Sequence, residues 1–377
     1  MKRLFSLLKF TVLLTILSCQ STQQPSAFTV TSPSKVNQIN FDLSEDGQAF
    51  YVVSHNNSAV IDTSFISFDF KDQKALKDNF KVLNSRSSSF NETWEMPWGE
   101  QREVLNNYNE LILELEEKKE DKRRLNLHFR VYDDGIGFRY EFPTQKGVDS
   151  LIIMEENTEF QLTGDHTTWW LPADWDSYEH LYNTTPFSEI DAIERGKKHS
   201  LGHTSIKDNA VHTPVTMKSA EGVYLSFHEA SLLDYASMTL KVDPEKLKMT
   251  SQLVGSDRLG YKVKRALPFS TPWRTIQISD KATDLIESKL ILNLNEPNKI
   301  GDVSWFKPKK YMGIWWEMHV DKGSWDYGMT QDENGKWIDI GKAHGRHSAT
   351  TENAKRYIDF ASANGITGLL VEGWNTG

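Results

Sequence analysis

Apolar and polar residues alternate with period two across most of the chain. Ala49–Val53, Ser64–Phe70, Leu125–Tyr132 and Gly222–His228 all follow this pattern, which marks strands with one buried and one wetter face. Lys289–Asn295 follows it less cleanly. Asp133-Asp134-Gly135 is a tight-turn signal, so Val131–Tyr140 predicts a hairpin. Glu110–Arg124 opens with Leu111, Leu113 and Leu115 in alternation and then turns charged, which predicts a strand and a solvated loop. Many short strands with regular turns predict a large antiparallel β-sandwich from Phe28 to about Asn295. No internal repeat or low-complexity domain interrupts it.

The pattern changes after Gly301-Asp-Val-Ser-Trp-Phe-Lys-Pro308, a junction punctuated by Pro297 and Pro308. Tyr311–Trp316 predicts a strand. Thr351–Gly365 predicts an amphipathic helix closed by a glycine, and Ile366–Trp374 a second strand. Strand, helix, strand is the opening unit of a parallel sheet, which needs helices on its faces and further strands beside it. The expected fold class is therefore multidomain β plus α/β, a sandwich followed by the truncated start of a parallel α/β domain, which the family resemblance given below makes a (β/α)8 barrel. The domain boundaries read 1–19 signal, 20–27 linker, 28–300 sandwich and 301–377 barrel beginning.

The first residues carry an address. Met1-Lys2-Arg3 is basic and Leu4–Leu17 is mostly apolar. Ser18 then precedes Cys19, the only cysteine. This is a secretory signal, and the cysteine after a small residue resembles a bacterial lipoprotein signal. Ordinary export with an incidental cysteine is the other reading. The expected location is the periplasm or the outer membrane, with Cys19 as the lipidated residue. Gln20–Ser26 reads as a short tether. No second cysteine is available for a disulfide, so stability must come from a core, which about 350 residues can supply. A net charge of −9 argues against a nucleic-acid partner. Twelve Trp, twelve Tyr and nineteen Phe build cores, but in an exported protein such rings also raise the expectation of carbohydrate.

Candidate chemistry gathers in three places. Trp169–Tyr182 is dense in aromatics and acids and is followed by Thr185-Pro-Phe-Ser-Glu189. It reads either as a loop pinned to the sandwich by its tryptophans or as a loop reaching over a neighbouring site. His212–Met217 and His228-Glu229-Ala230 are weaker candidates. His228 and Glu229 alternate on a strand, so one is expected buried and the other solvated. Trp315, Trp316, Glu317 and His319 fall at the end of the first parallel strand, and Glu372, Trp374 and Asn375 at the end of the second. Strand ends build the active sites of α/β barrels, so these seven are the expected substrate contacts, with barrel-top packing as the alternative. There is no phosphate loop, no Gly-x-Ser-x-Gly elbow and no Cys/His metal spacing. The chemistry on offer is carboxylate chemistry, suited to glycoside hydrolysis or to a hard cation such as calcium.

Trp169-Trp-Leu-Pro-Ala173, Tyr178-Glu-His-Leu-Tyr182, Thr185-Pro-Phe-Ser-Glu189, Thr213-Pro-Val-Thr-Met217, His228-Glu-Ala230, Tyr311–His319 and Leu370–Asn375 occur in this order. Together they resemble glycoside hydrolase family 97, the α-glucosidases and α-galactosidases of Bacteroides-type glycan utilisation. The resemblance implies an N-terminal β-super-sandwich, a catalytic (β/α)8 barrel and a small C-terminal β domain. It implies a calcium ion near the active site, with one ligand from the N-terminal domain. That ligand is carried over to Glu189, with Glu194 and Glu229 as competitors. The family's catalytic carboxylates lie on later barrel strands, so no catalytic residue is expected in these 377 residues. The complete protein is expected to hydrolyse α-linked oligosaccharides, glucosides first and galactosides as the alternative, and the piece alone to be inactive. A lipid-anchored, non-catalytic sugar-binding protein is the competing class.

Overall fold

The computed structural model describes residues 28–119, 121–175, 177–197, 206–256, 258–320, 322–325, 328–341 and 347–371. They divide into two compact units, one of residues 28–94 and 104–297 and one of 95–103 and 298–371. Cys19, Glu372, Trp374 and Asn375 lie outside the described residues.

The first unit is made of two antiparallel sheets. One has nine strands, in spatial order Phe28–Thr31, Asn37–Leu43, Ala49–His55, Ser58–Phe70, Ser150–Leu162, Lys248–Leu253, Met238–Asp243 and Ala210–Val211, with Val263–Ala266 also pairing to Ser150–Leu162. The other has ten: Asn183–Pro186, Thr167–Trp170, Val215–Lys218, Tyr224–Ala230, Trp273–Ser279, Gly135–Phe142, Arg124–Tyr132, Glu103–Glu117 and Phe80–Glu95, with Phe269–Ser270 on Gly135–Phe142. Their inner faces meet through aromatic side chains. Phe41 lies against Phe129 (6.0 Å), Tyr51 against Phe138 (4.9 Å), Phe68 against Tyr140 (4.9 Å) and Phe160 against Phe227 (5.4 Å). The alternation read along the chain is therefore the alternation between this core and the outside. The predicted hairpin is present, with Tyr132 opposite Gly135. Gly135 is required there: its φ is +150°, and a Cβ would come 2.3 Å from the Ile276 carbonyl oxygen.

One predicted strand is corrected. Lys289–Asn295 contains a short helix, Leu290–Asn293. Leu290 and Leu294 are four apart and both buried, joining Tyr108, Tyr132 and Trp273 on the outer face of the ten-stranded sheet. Asn293 is tied by Trp94 Nε1 (2.9 Å) and to the Leu105 carbonyl (2.9 Å). Three apolar residues in a row are ambiguous between the two periods, and helical spacing fits the surface they cover.

The second unit holds a parallel pair, Tyr311–Gly313 with Gly368–Leu370, and the helix Thr351–Ala363 between them in sequence. Thr350 caps the helix through its hydroxyl on the Asn353 amide, and Gly365 follows its end with φ +67°. The first strand is shorter than predicted, because Trp316–His319 is already a helical turn.

Candidate functional site

The aromatic segment lies at one edge of the ten-stranded sheet. Trp169 and Trp170 are strand residues rather than loop residues, paired with Thr184 and Asn183. Trp170 is buried and donates from Nε1 to the Thr185 hydroxyl at 3.0 Å. Residues 171–182 form the connection between these two edge strands.

The base of this connection is closed by buried polar groups. Leu171, Ala173 and Asp174 are buried, and backbone bonds join Ala173 to Ala210 and His212 to Leu171. His180 Nε2 is 3.2 Å from Asp174 Oδ2, and both side chains are fully enclosed. His212 Nε2 is 3.0 Å from the Asp174 amide and 2.9 Å from the Ser177 carbonyl, and its tautomer decides which it serves. Burial pushes the His212 pKa down, so the ring is neutral near pH 7. Above this base stand exposed aromatics. The Tyr178 ring is 5.1 Å from that of His212, and the Tyr178 and Tyr182 hydroxyls are hydrogen-bonded.

Glu189 sits just past the second edge strand, in the single turn Phe187–Glu189. Phe187 and Ile190 anchor that turn in the core, and Asp165 holds Ser188 through its amide (2.8 Å) and hydroxyl (2.7 Å). The Glu189 side chain is exposed, and no described residue hydrogen-bonds or ion-pairs with it. Of its two competitors, Glu194 is exposed and 4.0 Å from Lys197. Glu229 is not available to a ligand: it is buried between the sheets. His228, on the opposite face, is half-buried with Nδ1 3.0 Å from the Thr213 hydroxyl, so the expectation that one of the pair is solvated is corrected.

Glu229 belongs to an ionic group that the alternation did not reveal. Arg274, 0% exposed, donates to Glu156 through Nε (2.6 Å) and Nη2 (2.8 Å) and to Glu229 through Nη1 (2.6 Å). Thr158 and Tyr235 also donate to Glu156, and the Met238 amide donates to Glu229 at 2.9 Å. Burial alone would lower the Arg274 pKa, but Glu156 and then Glu229 outweigh it and the guanidinium stays charged. Burial raises the Glu229 pKa against the opposing pull of Arg274. Glu156 points inward because of a bulge: Asp69 pairs with Glu155 and Phe70 with Ile153, leaving Met154 without an opposite residue. That shift moves the inward set from Leu151 and Ile153 to Glu156, Thr158 and Phe160. The legible signal was Arg274, a charge at an inward position of an apolar strand.

In the second unit, the Trp315 and Trp316 rings are 5.3 Å apart, and Trp316 is exposed. Glu317 is buried and turned to the helix. It accepts from Asn353 Nδ2 (2.8 Å), Tyr357 OH (3.1 Å) and Arg356 Nη2 (3.3 Å). His319 ends the helical turn, and its side chain lies outside the described groups. Among the described residues no three Asp, Glu, His or Cys side chains come together as a metal cluster.

Comparison with known families matches residues 30–297 to the glycosyl-hydrolase 97 N-terminal domain and residues 315–377 to glycoside hydrolase 97. The chain belongs to glycoside hydrolase family 97. A family 97 enzyme from Pseudoalteromonas sp. strain K8 is 39% identical. Its structure with acarbose, and that of a variant with panose, superimpose with TM-score 0.78 over 93% of this chain and 48% of theirs. A retaining α-galactosidase of Bacteroides thetaiotaomicron is 24% identical over 96% of this chain and 52% of its own length. The chain thus spans about half the length of the family 97 relatives it matches.

Proposed function

We propose that these residues are the sandwich and the first barrel elements of an exo-acting α-glucosidase that degrades oligosaccharides. The observation that carries this reading is the 39% identity to an enzyme crystallised with acarbose and panose, panose being itself an α-glucoside. The relative named as an α-galactosidase is more distant, at 24%, and makes α-galactoside hydrolysis the second reading.

In this reading the strand pair Tyr311–Gly313 and Gly368–Leu370 opens the (β/α)8 barrel. Trp315, Trp316 and His319, with Glu372, Trp374 and Asn375, contact the sugar at the strand ends. Glu317 shapes that rim by tying it to the helix, because its carboxylate is already occupied by Asn353, Tyr357 and Arg356. The acid and base carboxylates of the hydrolysis come from outside these residues. Two carboxylates flanking the glycosidic bond are required, and their spacing sets inversion or retention.

Glu189 suits calcium as a ligand: it is a hard oxygen donor, exposed and unpaired among the described residues. It would supply one of the ion's six to eight oxygens, and the bound ion would place positive charge beside the site. Cys19 is proposed as the lipidated residue that holds the protein at the outer membrane from the periplasmic side.

The test compares the 377-residue chain with any longer product of the same gene, on p-nitrophenyl α-glucoside and α-galactoside. Turnover of the glucoside by the longer product alone supports the reading. Faster turnover of the galactoside selects the second reading, and hydrolysis by the 377-residue chain overturns the placement of the carboxylates. Glu189→Gln should weaken calcium binding in the longer product, and Cys19→Ser should release the protein from the membrane fraction.

A further inference from the structure

The 171–182 connection is built in a way that packing alone does not explain. It encloses an aspartate and a histidine at its base and sets a second imidazole, the half-buried His212, across two of its backbone groups. Enclosing such groups costs stability unless they are paired, and here they are paired to each other and to the loop's own backbone. A loop held this firmly would be expected to bury its large side chains. Instead Trp175, Tyr178 and Tyr182 are 41%, 48% and 54% exposed. Rings of this size do the most for stability when covered, so a fixed base beneath open rings is the arrangement of a preorganised contact surface.

The segment's own charges narrow the ligand. Residues 165–190 contain Asp165, Asp174, Asp176, Glu179 and Glu189 and no lysine or arginine. The segment itself offers a phosphate or a uronate no cation. A neutral polyol with a flat C–H face fits the rings, and its hydroxyls can bond to the two tyrosine hydroxyls.

We infer that Trp175 and the Tyr178–Tyr182 pair form a stacking platform for a neutral α-linked gluco-oligosaccharide, set on the sandwich by the Asp174–His180–His212 base. The ligand class rests on the α-glucosidase reading above. The platform would hold sugar units away from the reacting bond and contribute to recognition of oligosaccharides over single sugars.

The 377-residue chain is titrated with maltotriose, followed by intrinsic fluorescence and by saturation-transfer NMR. Saturable binding is expected. Trp175→Ala and Tyr182→Ala should each weaken it about tenfold, the loss of one aromatic contact, with melting temperature unchanged. Trp305→Ala, at an exposed tryptophan of the second unit, should leave binding unchanged. Absence of saturable binding, affinity in the two loop variants equal to that of the unsubstituted chain, loss of binding only together with a lowered melting temperature, or loss on Trp305→Ala would each overturn the inference. If the chain fails to bind while the longer product hydrolyses the glucoside, the platform falls and the function stands. If the platform binds maltotriose but no product hydrolyses glucosides, the reverse holds.

Discussion

Replacing Arg274 by methionine tests the ionic group between the sheets. The side chain is fully enclosed and makes three charge-assisted hydrogen bonds, at 2.6, 2.8 and 2.6 Å. Methionine fills similar volume but leaves Glu156 and Glu229 in the core without their cation. Removing one partner of a buried ion pair costs about 3–5 kcal/mol, because the remaining charge is uncompensated. A unit of this size loses about 2 °C of melting temperature per kcal/mol, so the sandwich transition should fall by roughly 6–10 °C at pH 8. The loss should depend on pH in a definite direction. The Glu229 pKa is already raised in the folded protein, with burial as its largest cause, and losing Arg274 raises it further. A carboxyl whose folded pKa lies above its unfolded value binds its proton more tightly when folded, so stability falls as pH rises between the two values. The variant should therefore lose least near pH 5 and most above neutrality. Differential scanning calorimetry at pH 5, 6.5 and 8 reads this directly. A loss below about 2 °C at pH 8, or a loss that does not shrink on acidification, would refute the argument. Adding Glu156→Gln and Glu229→Gln should recover part of the stability, since neutral groups are cheaper to leave without the guanidinium.

Three further outcomes follow from the same geometry. Burial depresses the pKa values of His128, His166, His212 and His228. The unfolded chain then binds more protons just below the ordinary value of about 6.5, and the melting temperature should fall as pH drops from 7.5 to 5.5. The raised carboxyls of Glu155 and Glu229 oppose this trend but are fewer. Glu317→Ala should free Asn353, Tyr357 and Arg356 and raise amide exchange in the helix Thr351–Ala363 while leaving the sandwich transition in place; unchanged exchange would mean the tie is idle. Gly135→Ala should destabilise the sandwich by about 1–3 kcal/mol, from its φ of +150° and the contact with the Ile276 carbonyl, and equal stability by chemical denaturation would contradict that.

Much of the sandwich was legible because its strands are long enough to repeat a two-residue period several times. Ala49–His55 and Arg124–Tyr132 point Tyr51, Val53, Leu127 and Phe129 inward as the pattern requires. What escaped was set by tertiary pairing. The bulge at Met154 inverts the phase of its strand, and it leaves no mark in hydrophobicity because two consecutive glutamates, Glu155 and Glu156, follow the slip and fit either phase. Leu290–Asn293 was too short to declare a period. At the candidate site, the clustering of aromatics was visible, but the enclosure of Asp174 and His180 beneath them was not, since two polar residues six apart in a loop read as solvated. Glu317 was read from its position at a strand end; the helix that takes up its carboxylate arrives more than thirty residues later.

The two units should differ sharply in how they resist a protease. The sandwich encloses aromatic and aliphatic side chains from both of its sheets in one continuous core. In the second unit the buried apolar side chains among the described residues are Ile314 and Ala361. Its parallel strands pair over three residues only, and Tyr311, Leu370 and Val371 remain exposed, as do Ile358 and Phe360 on the helix. Parallel sheets are stable when both faces are covered, and two strands with open faces are marginal. Opening this region costs little apolar burial, so cleavage there tracks a small local free energy rather than the stability of the whole chain. Limited trypsin digestion of the 377-residue chain should cut first beyond Pro308 and leave a sandwich fragment that melts cooperatively. If residues 311–371 resist as long as the sandwich does, a second copy or a bound partner covers those apolar faces, and sedimentation at several concentrations would show the association.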